Sequence, residues 1–280
     1  MLHRLNTVAL QTISRRLSLT VSLAVLLSAA SLIGACAGLT LPVDSAVRQA
    51  LAPTGVLRVG VYPGSPTSLV RDPRTGKSAG VALELGQALG KQLGIPVQVV
   101  EFSRLALVLD GVKAGSVDFT FTNATEVRAR DMAFTDPLIR LELGYLVPPQ
   151  SGLAVSDVDR AGVRVGVAQG SSSQGALGRL YKNAVIVPAA SLTQAQQMLR
   201  QGEMDAFATN KGILFEMSDE MPGYRVLDGR WGLESLAIAI PKGREAGMPY
   251  LRQFASDAQS SGRLQAIVSA AGLRGLAHAD

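Results

Sequence analysis

The chain has 280 residues, of which 47% are apolar, 18% charged and 5% aromatic, a balance that excludes a disordered or fibrous protein and suffices for one large or two medium domains. Its one cysteine, Cys36, and its two histidines, His3 and His278 at opposite ends, predict no internal disulfide, no Cys/His metal cluster, no Ser-His-Asp triad and no Cys-His pair. The net charge of +5 is largely N-terminal: Arg4, Arg15 and Arg16 stand in residues 1–35 without an acid, and taking these three from 27 basic residues leaves 24 against 22 acidic ones. No basic stripe interleaved with aromatics remains to bind nucleic acid.

Residues 1–35 read as a signal peptide, with a positive segment through Arg16 and an apolar stretch from Leu17 to Ala35. The stretch ends in Ile33-Gly34-Ala35-Cys36, which resembles the lipobox of bacterial lipoproteins, where the Cys is lipidated and becomes the new N-terminus. The alternative is an uncleaved anchor helix, for which the run is at the short end. Ser14-Arg15-Arg16 also resembles a twin-arginine signal. Residues 36–53 would then be a lipid-anchored tether, and the body would lie in the periplasm or on the outer face of the cell membrane.

From Thr54 onward, short β-branched runs alternate with amphipathic stretches, the signature of an α/β architecture. The first block predicts a strand over Val56–Val61, a helix over Gly80–Leu93 closed by Gly94, a strand over Val97–Phe102, a helix over Leu105–Ala114 and a strand over Val117–Phe121. A second block predicts strands at Val163–Val167, Ala184–Val187 and Ala206–Ala208 and helices at Ser171–Tyr181 and Leu192–Arg200. Leu236–Ile240 reads as a strand returning to the first block, and helices cover Pro249–Ala271. Two α/β lobes result, with residues 54–143 and 233–280 in the first and 144–232 in the second. The extended segments Leu141–Val147 and Tyr224–Ile240 are the crossovers, and two such strands make a hinge.

Several motifs in order carry a family resemblance. They are Gly55-Val56-Leu57-Arg58-Val59-Gly60, Gly80-Val81-Ala82-Leu83-Glu84-Leu85, Lys113-Ala114-Gly115-Ser116-Val117-Asp118, Thr120 through Arg128 followed by Met132-Ala133-Phe134-Thr135-Asp136-Pro137, Val165-Gly166-Val167-Ala168-Gln169-Gly170-Ser171-Ser172, and Gly202-Glu203-Met204-Asp205-Ala206. From Thr54 to Gly272 the chain resembles the family 3 extracellular solute-binding proteins, periplasmic receptors of amino-acid ABC importers. The resemblance implies a two-lobe periplasmic-binding-protein fold, type II-like. It also implies capture of a small carboxylate-bearing solute, an amino acid or related organic anion, and delivery to an ABC permease and its ATPase. It implies a monomer without metal or other cofactor.

Arg128 follows a strand, where a guanidinium can form a bidentate pair with a carboxylate, and the resemblance gives it the ligand's α-carboxylate; as a residue type it could equally be a surface arginine. Thr120, Thr122 and Asn123 precede it as pocket candidates. Gly170, Ser171 and Ser172 sit between a strand and a helix, where free N–H groups bind anions and where serine also simply caps helices. Asn210 stands where amino-acid receptors of the family have an Asp for the ligand's ammonium; a neutral amide lacks that charge, so the solute is expected to depart from a standard α-amino acid. Leu105 stands about where the family often has a stacking aromatic. Tyr62 is either a pocket residue or packing, and Trp231 reads as structural.

A competing class is an enzyme on the same scaffold, such as a cyclohexadienyl dehydratase-like lyase. It would need a carboxyl acid or base in the cleft, and the candidates are Glu126, Glu216 and Glu234. A sensor module is a third class. No G-x-x-x-x-G-K-[ST] loop is present, so the chain itself is not expected to hydrolyse ATP.

Overall fold

The computed structural model describes residues 43–277, so the signal segment, Cys36 and the first part of the predicted tether lie outside the described residues. The rest of that tether is folded. Helix α1 (Ser45–Leu51) is capped by the Asp44 carboxylate, which accepts from Ala46 N at 2.9 Å, and it buries Leu51 and Ala52 in the core. The body therefore begins upstream of Thr54.

Strand β1 (Leu57–Val61) runs parallel to β4 (Val97–Glu101), and between them lie the short β2 (Val70–Arg71) and β3 (Ser78–Ala79) and helix α2 (Val81–Leu93). Helix α2 buries Val81, Leu85, Leu89 and Leu93, one stripe at helical spacing, and Gly94 at φ +67° ends it. Helix α3 (Leu105–Lys113) leads to β5 (Thr120–Asn123), a 3-10 turn at Arg128–Arg130, β6 (Met132–Phe134) and the long β7 (Ile139–Val147). The strand expected over Val117–Phe121 is displaced toward the C-terminus. Asp118 instead faces Arg58, and Phe119 joins β1 by a single bridge.

The second block comprises β8 (Arg164–Ala168), α4 (Ser172–Leu180), β9 (Val185–Ala189), α5 (Leu192–Arg200), β10 (Ala206–Asn210), α6 (Lys211–Glu220) and β11 (Arg225–Val226). Strand β12 (Gly232–Pro241) then returns, and α7 (Met248–Ser260) and α8 (Arg263–Ala270) close the fold. One sheet runs β5-β12-β7-β10-β8-β9, so both crossovers belong to it. Strands β7 and β12 are antiparallel neighbours from Gly232 opposite Leu143 to Leu236 opposite Ile139. Buried residues at 51–141 and 236–273 form one pair of apolar clusters, and those at 145–227 form another. The result is two α/β lobes joined by two paired strands.

Each lobe is locked by the same device. Arg58 at the start of β1 donates to Asp118 from its backbone N (2.9 Å), Nε (2.8 Å) and Nη2 (2.6 Å). Arg164 at the start of β8 does the same to Asp205, at 2.8, 3.1 and 2.8 Å. Two residues after each Arg stands a glycine under the side chain that precedes the Asp. A Cβ on Gly60 would lie 2.8 Å from Val117, and one on Gly166 would lie 2.1 Å from Met204. The Arg-Val-Gly and Val-Asp or Met-Asp pairs are thus one packing unit used twice.

Candidate functional site

Arg128 begins the turn after β5, with its N–H on Thr125 Oγ1 at 3.2 Å. The side chain folds back and is buried. Nη1 donates to Thr122 Oγ1 at 2.8 Å and to the Asn123 carbonyl at 3.2 Å, while Nη2 is buried with no partner. The surface-arginine alternative is therefore excluded. Burial lowers the Arg128 pKa, and the nearby Glu234 and Tyr62 push it back up.

Arg128 and Thr125 line a cavity together with Gly170, Ser171 and Ser172, so the two halves of the predicted anion site face one space. Gly170 adopts φ +75°, and a Cβ there would lie 3.1 Å from the Ala106 Cβ, so the second lobe approaches α3 of the first at this point. Ser171 caps α4, its Oγ accepting from Gln174 N at 3.1 Å, and the Gln174 Oε1 accepts from Gly170 N at 2.8 Å. The first free N–H of the loop is thereby occupied within the protein.

Ser171 and Ser172 also line a second cavity, walled by Tyr62, Arg104, Leu105, Thr209, Asn210 and Glu234. Tyr62 is nearly buried at its edge. Burial raises its phenol pKa, Ser65 lowers it by hydrogen bonding, and Glu234, Arg128 and Thr67 act in smaller measure. Leu105 is the first residue of α3 and presents an aliphatic wall. Asn210 caps α6, its Oδ1 accepting from Ile213 N at 3.1 Å.

The remaining predicted residues support the others. Thr120 donates its hydroxyl to Gly60 O at 2.9 Å, from β5 to β1. Thr122 holds Arg128, and Asn123 Oδ1 accepts from Ser235 N at 3.0 Å, tying β5 to β12. Trp231 donates Nε1–H to Gly144 O at 3.0 Å and packs its ring on Tyr145, which makes it part of the crossover.

Of the three acids considered for an enzyme, Glu234 alone is buried against this cavity. Glu126 is exposed, and Glu216 lies on another surface beside Arg274. Burial raises the Glu234 pKa, and the Arg128 charge and a hydrogen bond from the Asn210 side chain lower it in part. Sequence reasoning missed Arg104, a half-buried cavity residue whose Nε is buried and unpartnered. Its signal is an arginine set just before the apolar start of α3. Among the described residues, no group of three or more His, Cys, Asp and Glu side chains could hold a metal ion.

A glutamine-binding protein of Geobacillus stearothermophilus is 26% identical to this chain over 194 residues, covering 67% of this chain and 73% of the relative. An amino-acid ABC transporter substrate-binding protein of Streptococcus pneumoniae, bound to L-arginine, superposes with a TM-score of 0.71 at 21% identity over 80% of this chain and 97% of its own. The ancestral amino-acid-binding protein AncCDT-1, a precursor of cyclohexadienyl dehydratase, gives 0.67 at 21% identity over 81% and 98% of the two chains. Residues 57–270, which span both lobes and both crossover strands, match the family model of bacterial extracellular solute-binding proteins, family 3. With two lobes on paired crossovers, a buried arginine open to the space between them and that match along most of its length, the chain belongs to this family.

Proposed function

We propose that the protein is an extracytoplasmic receptor that closes its two lobes on a small carboxylate-bearing solute and hands it to an ABC import permease with its ATPase. The observation that carries this reading is the buried, unpartnered Nη2 of Arg128 beside the cavity. A guanidinium nitrogen kept from both water and protein acceptors is costly, and a ligand carboxylate offsets that cost with a charge-assisted bond. The relatives named for glutamine, which carries an α-carboxylate, support the same class.

Residues 54–143 with 233–280 form the first lobe and 144–232 the second, extended at the N-terminal side by α1. Arg128 comes from the first lobe and Ser171–Ser172 from the second, so a solute touching both favours the closed form by its differential contacts. Catalysis is not part of this role, nor is a cofactor. The chain acts as a monomer, anchored through a lipid on Cys36.

A thermal-shift panel of amino acids and small organic acids on refolded protein tests the reading. A ligand that binds only the native state adds about 2.7 kcal/mol at a hundredfold excess over its Kd. No shift with any carboxylate refutes it. A turnover assay on the ligands found separates receptor from lyase, and the mass of the purified N-terminus reads the lipid.

A further inference from the structure

We propose that the segment after the last helix, residues 273–277, is a strap across the hinge, and that Arg274 on it is a latch that holds the two lobes closed. The inference concerns the opening equilibrium of the chain without ligand, and so it stands apart from the carboxylate reading of Arg128. Gly275 O accepts from Glu142 N at 2.9 Å, Leu276 bridges Leu141, and Ala277 N donates to Arg140 O at 2.9 Å, which lays the segment antiparallel along the start of crossover strand β7. Leu273 is buried in the apolar cluster of the first lobe. Arg274 reaches the second lobe. Its Nη1 and Nη2 donate to the two carboxylate oxygens of Asp219 at 3.4 and 2.5 Å, and Nη2 stands 3.5 Å from Glu216 Oε1. The guanidinium lies 4.9 Å from the centre of the Phe215 ring. All three residues belong to α6, whose Leu214 and Met217 are packed in the second lobe's core.

The two ends of α6 sit differently with respect to the hinge. Its first turn packs on the strap: a Cβ on Gly212 would lie 2.7 Å from Leu273 Cδ1, and one on Gly275, at φ +79°, would run into Lys211. Asp219 stands about 10 Å along the helix from Gly212, at 1.5 Å per residue. A rotation about the crossovers therefore moves Asp219 more than the first turn, and it is the far part of the helix that Arg274 grips. The grip belongs to a closed arrangement. The lobes touch where Gly170 meets Ala106 and again where Gly64 meets Leu192, a Cβ on Gly64 falling 3.2 Å from Leu192 Cδ1. Glu216 lines one cavity with Gly64 and Leu192 and another with Arg71, Glu84 and Gly272, so the gripped face of α6 looks across the gap between the lobes. A contact made in only one of two arrangements shifts the equilibrium toward it by its own free energy and no more. The Arg274 and Asp219 side chains are 41% and 62% exposed, so their ion pair is a weak one, and the ring contact adds to it. A latch of that strength biases closure and still lets the lobes open.

The test is the distance across the mouth of the cleft in the ligand-free, refolded full chain. Spin labels on Arg74→Cys and Thr193→Cys, with Cys36→Ser to leave no other thiol, flank the gap from the two lobes. The labelled parent is expected to show a short-distance population. Arg274→Ala is expected to shift the short-to-long ratio toward long by about 3- to 10-fold, the size of one ring contact and one exposed ion pair. Asp219→Asn is expected to shift it the same way by about twofold, and to add nothing to Arg274→Ala in the double variant. Being at an exposed position, it serves as the second variant should the urea midpoint show that Arg274→Ala fails to fold. High salt should move the parent toward the ratio of Asp219→Asn and leave Arg274→Ala nearly where it is. An unchanged ratio in the folded variants overturns the proposal, as does a shift toward short distances or a parent found wholly open.

Discussion

Removing the Arg128 side chain separates a binding role from a structural one. Arg128→Ala deletes a guanidinium whose Nη1 bonds, at 2.8 Å to Thr122 Oγ1 and 3.2 Å to Asn123 O, offset only part of its burial and whose Nη2 makes none. For the unliganded protein the loss is small. A desolvated cation with an unpartnered Nη2 goes, at the loss of two neutral-acceptor hydrogen bonds. For the complex the loss is large, because the ligand carboxylate is left buried without its partner. Truncating one side of such a pair costs about 2–5 kcal/mol, which is roughly 30- to 5,000-fold in Kd. Arg128→Lys keeps the charge but not the fork that spans Thr122 and a carboxylate, and is expected to recover only part of the affinity. Titration calorimetry reads the affinity, and chemical denaturation without ligand reads the stability. Full affinity in Arg128→Ala would refute the carboxylate role. A midpoint collapse without ligand would show Arg128 to be a scaffold residue.

Asp118→Asn should destabilise the fold by about 3 kcal/mol, toward the low end for breaking a buried pair because Arg58 and Arg244 keep some solvent; an unchanged urea midpoint would refute this. Burial raises the Asp118 pKa, but hydrogen bonds from Arg58 and Arg244 outweigh it and leave the group below its ordinary value. Its stabilisation is therefore complete above the usual carboxylate range and is lost as pH falls through the depressed value, so the variant's acid limb should be flatter than wild type's. Ser171→Ala removes the cap on Gln174 N and should cost about 1 kcal/mol of stability. A loss of ligand affinity beyond that in the same variant would show the hydroxyl to contact the solute as well. Gly170→Ala places a Cβ 3.1 Å from Ala106 and strains a φ of +75°, so it should weaken binding by opposing closure; tighter binding would contradict the contact between lobes.

Much of the fold was legible because each lobe is built from local signals. The stripe Val81, Leu85, Leu89, Leu93 and its αL glycine define α2 before any tertiary contact is known, and Leu192–Arg200 stands as predicted. What slipped are segments whose structure depends on partners distant in sequence. Val117–Phe121 has β-branched and aromatic residues, yet Asp118 is committed to Arg58, 60 residues away, so the ladder starts only at Thr120. Helix α1 reads as tether because seven residues carry little periodicity, although Asp44 before Ser45 is a capping signal and Leu51 finds its burial against the turn near Gly247.

The site divides along the same line. Arg128 and Ser171 were found through motifs in which neighbouring residues shape the backbone, and those neighbours are contiguous in sequence. Glu234 could be named only as one acid among three. The features that set it apart are its burial and the nearness of the Arg128 charge, which lowers its pKa, both products of strands that meet only in the folded sheet. One local clue was present. Glu234 leads the alternation Leu236, Ile238, Ile240, so the pattern that buries those three side chains assigns the same face to a charge. An acid at an inward position of a strand needs a partner. Here the nearby cation, Arg128, makes no ion pair with it among the described residues, and the two line neighbouring cavities that share Ser171 and Ser172.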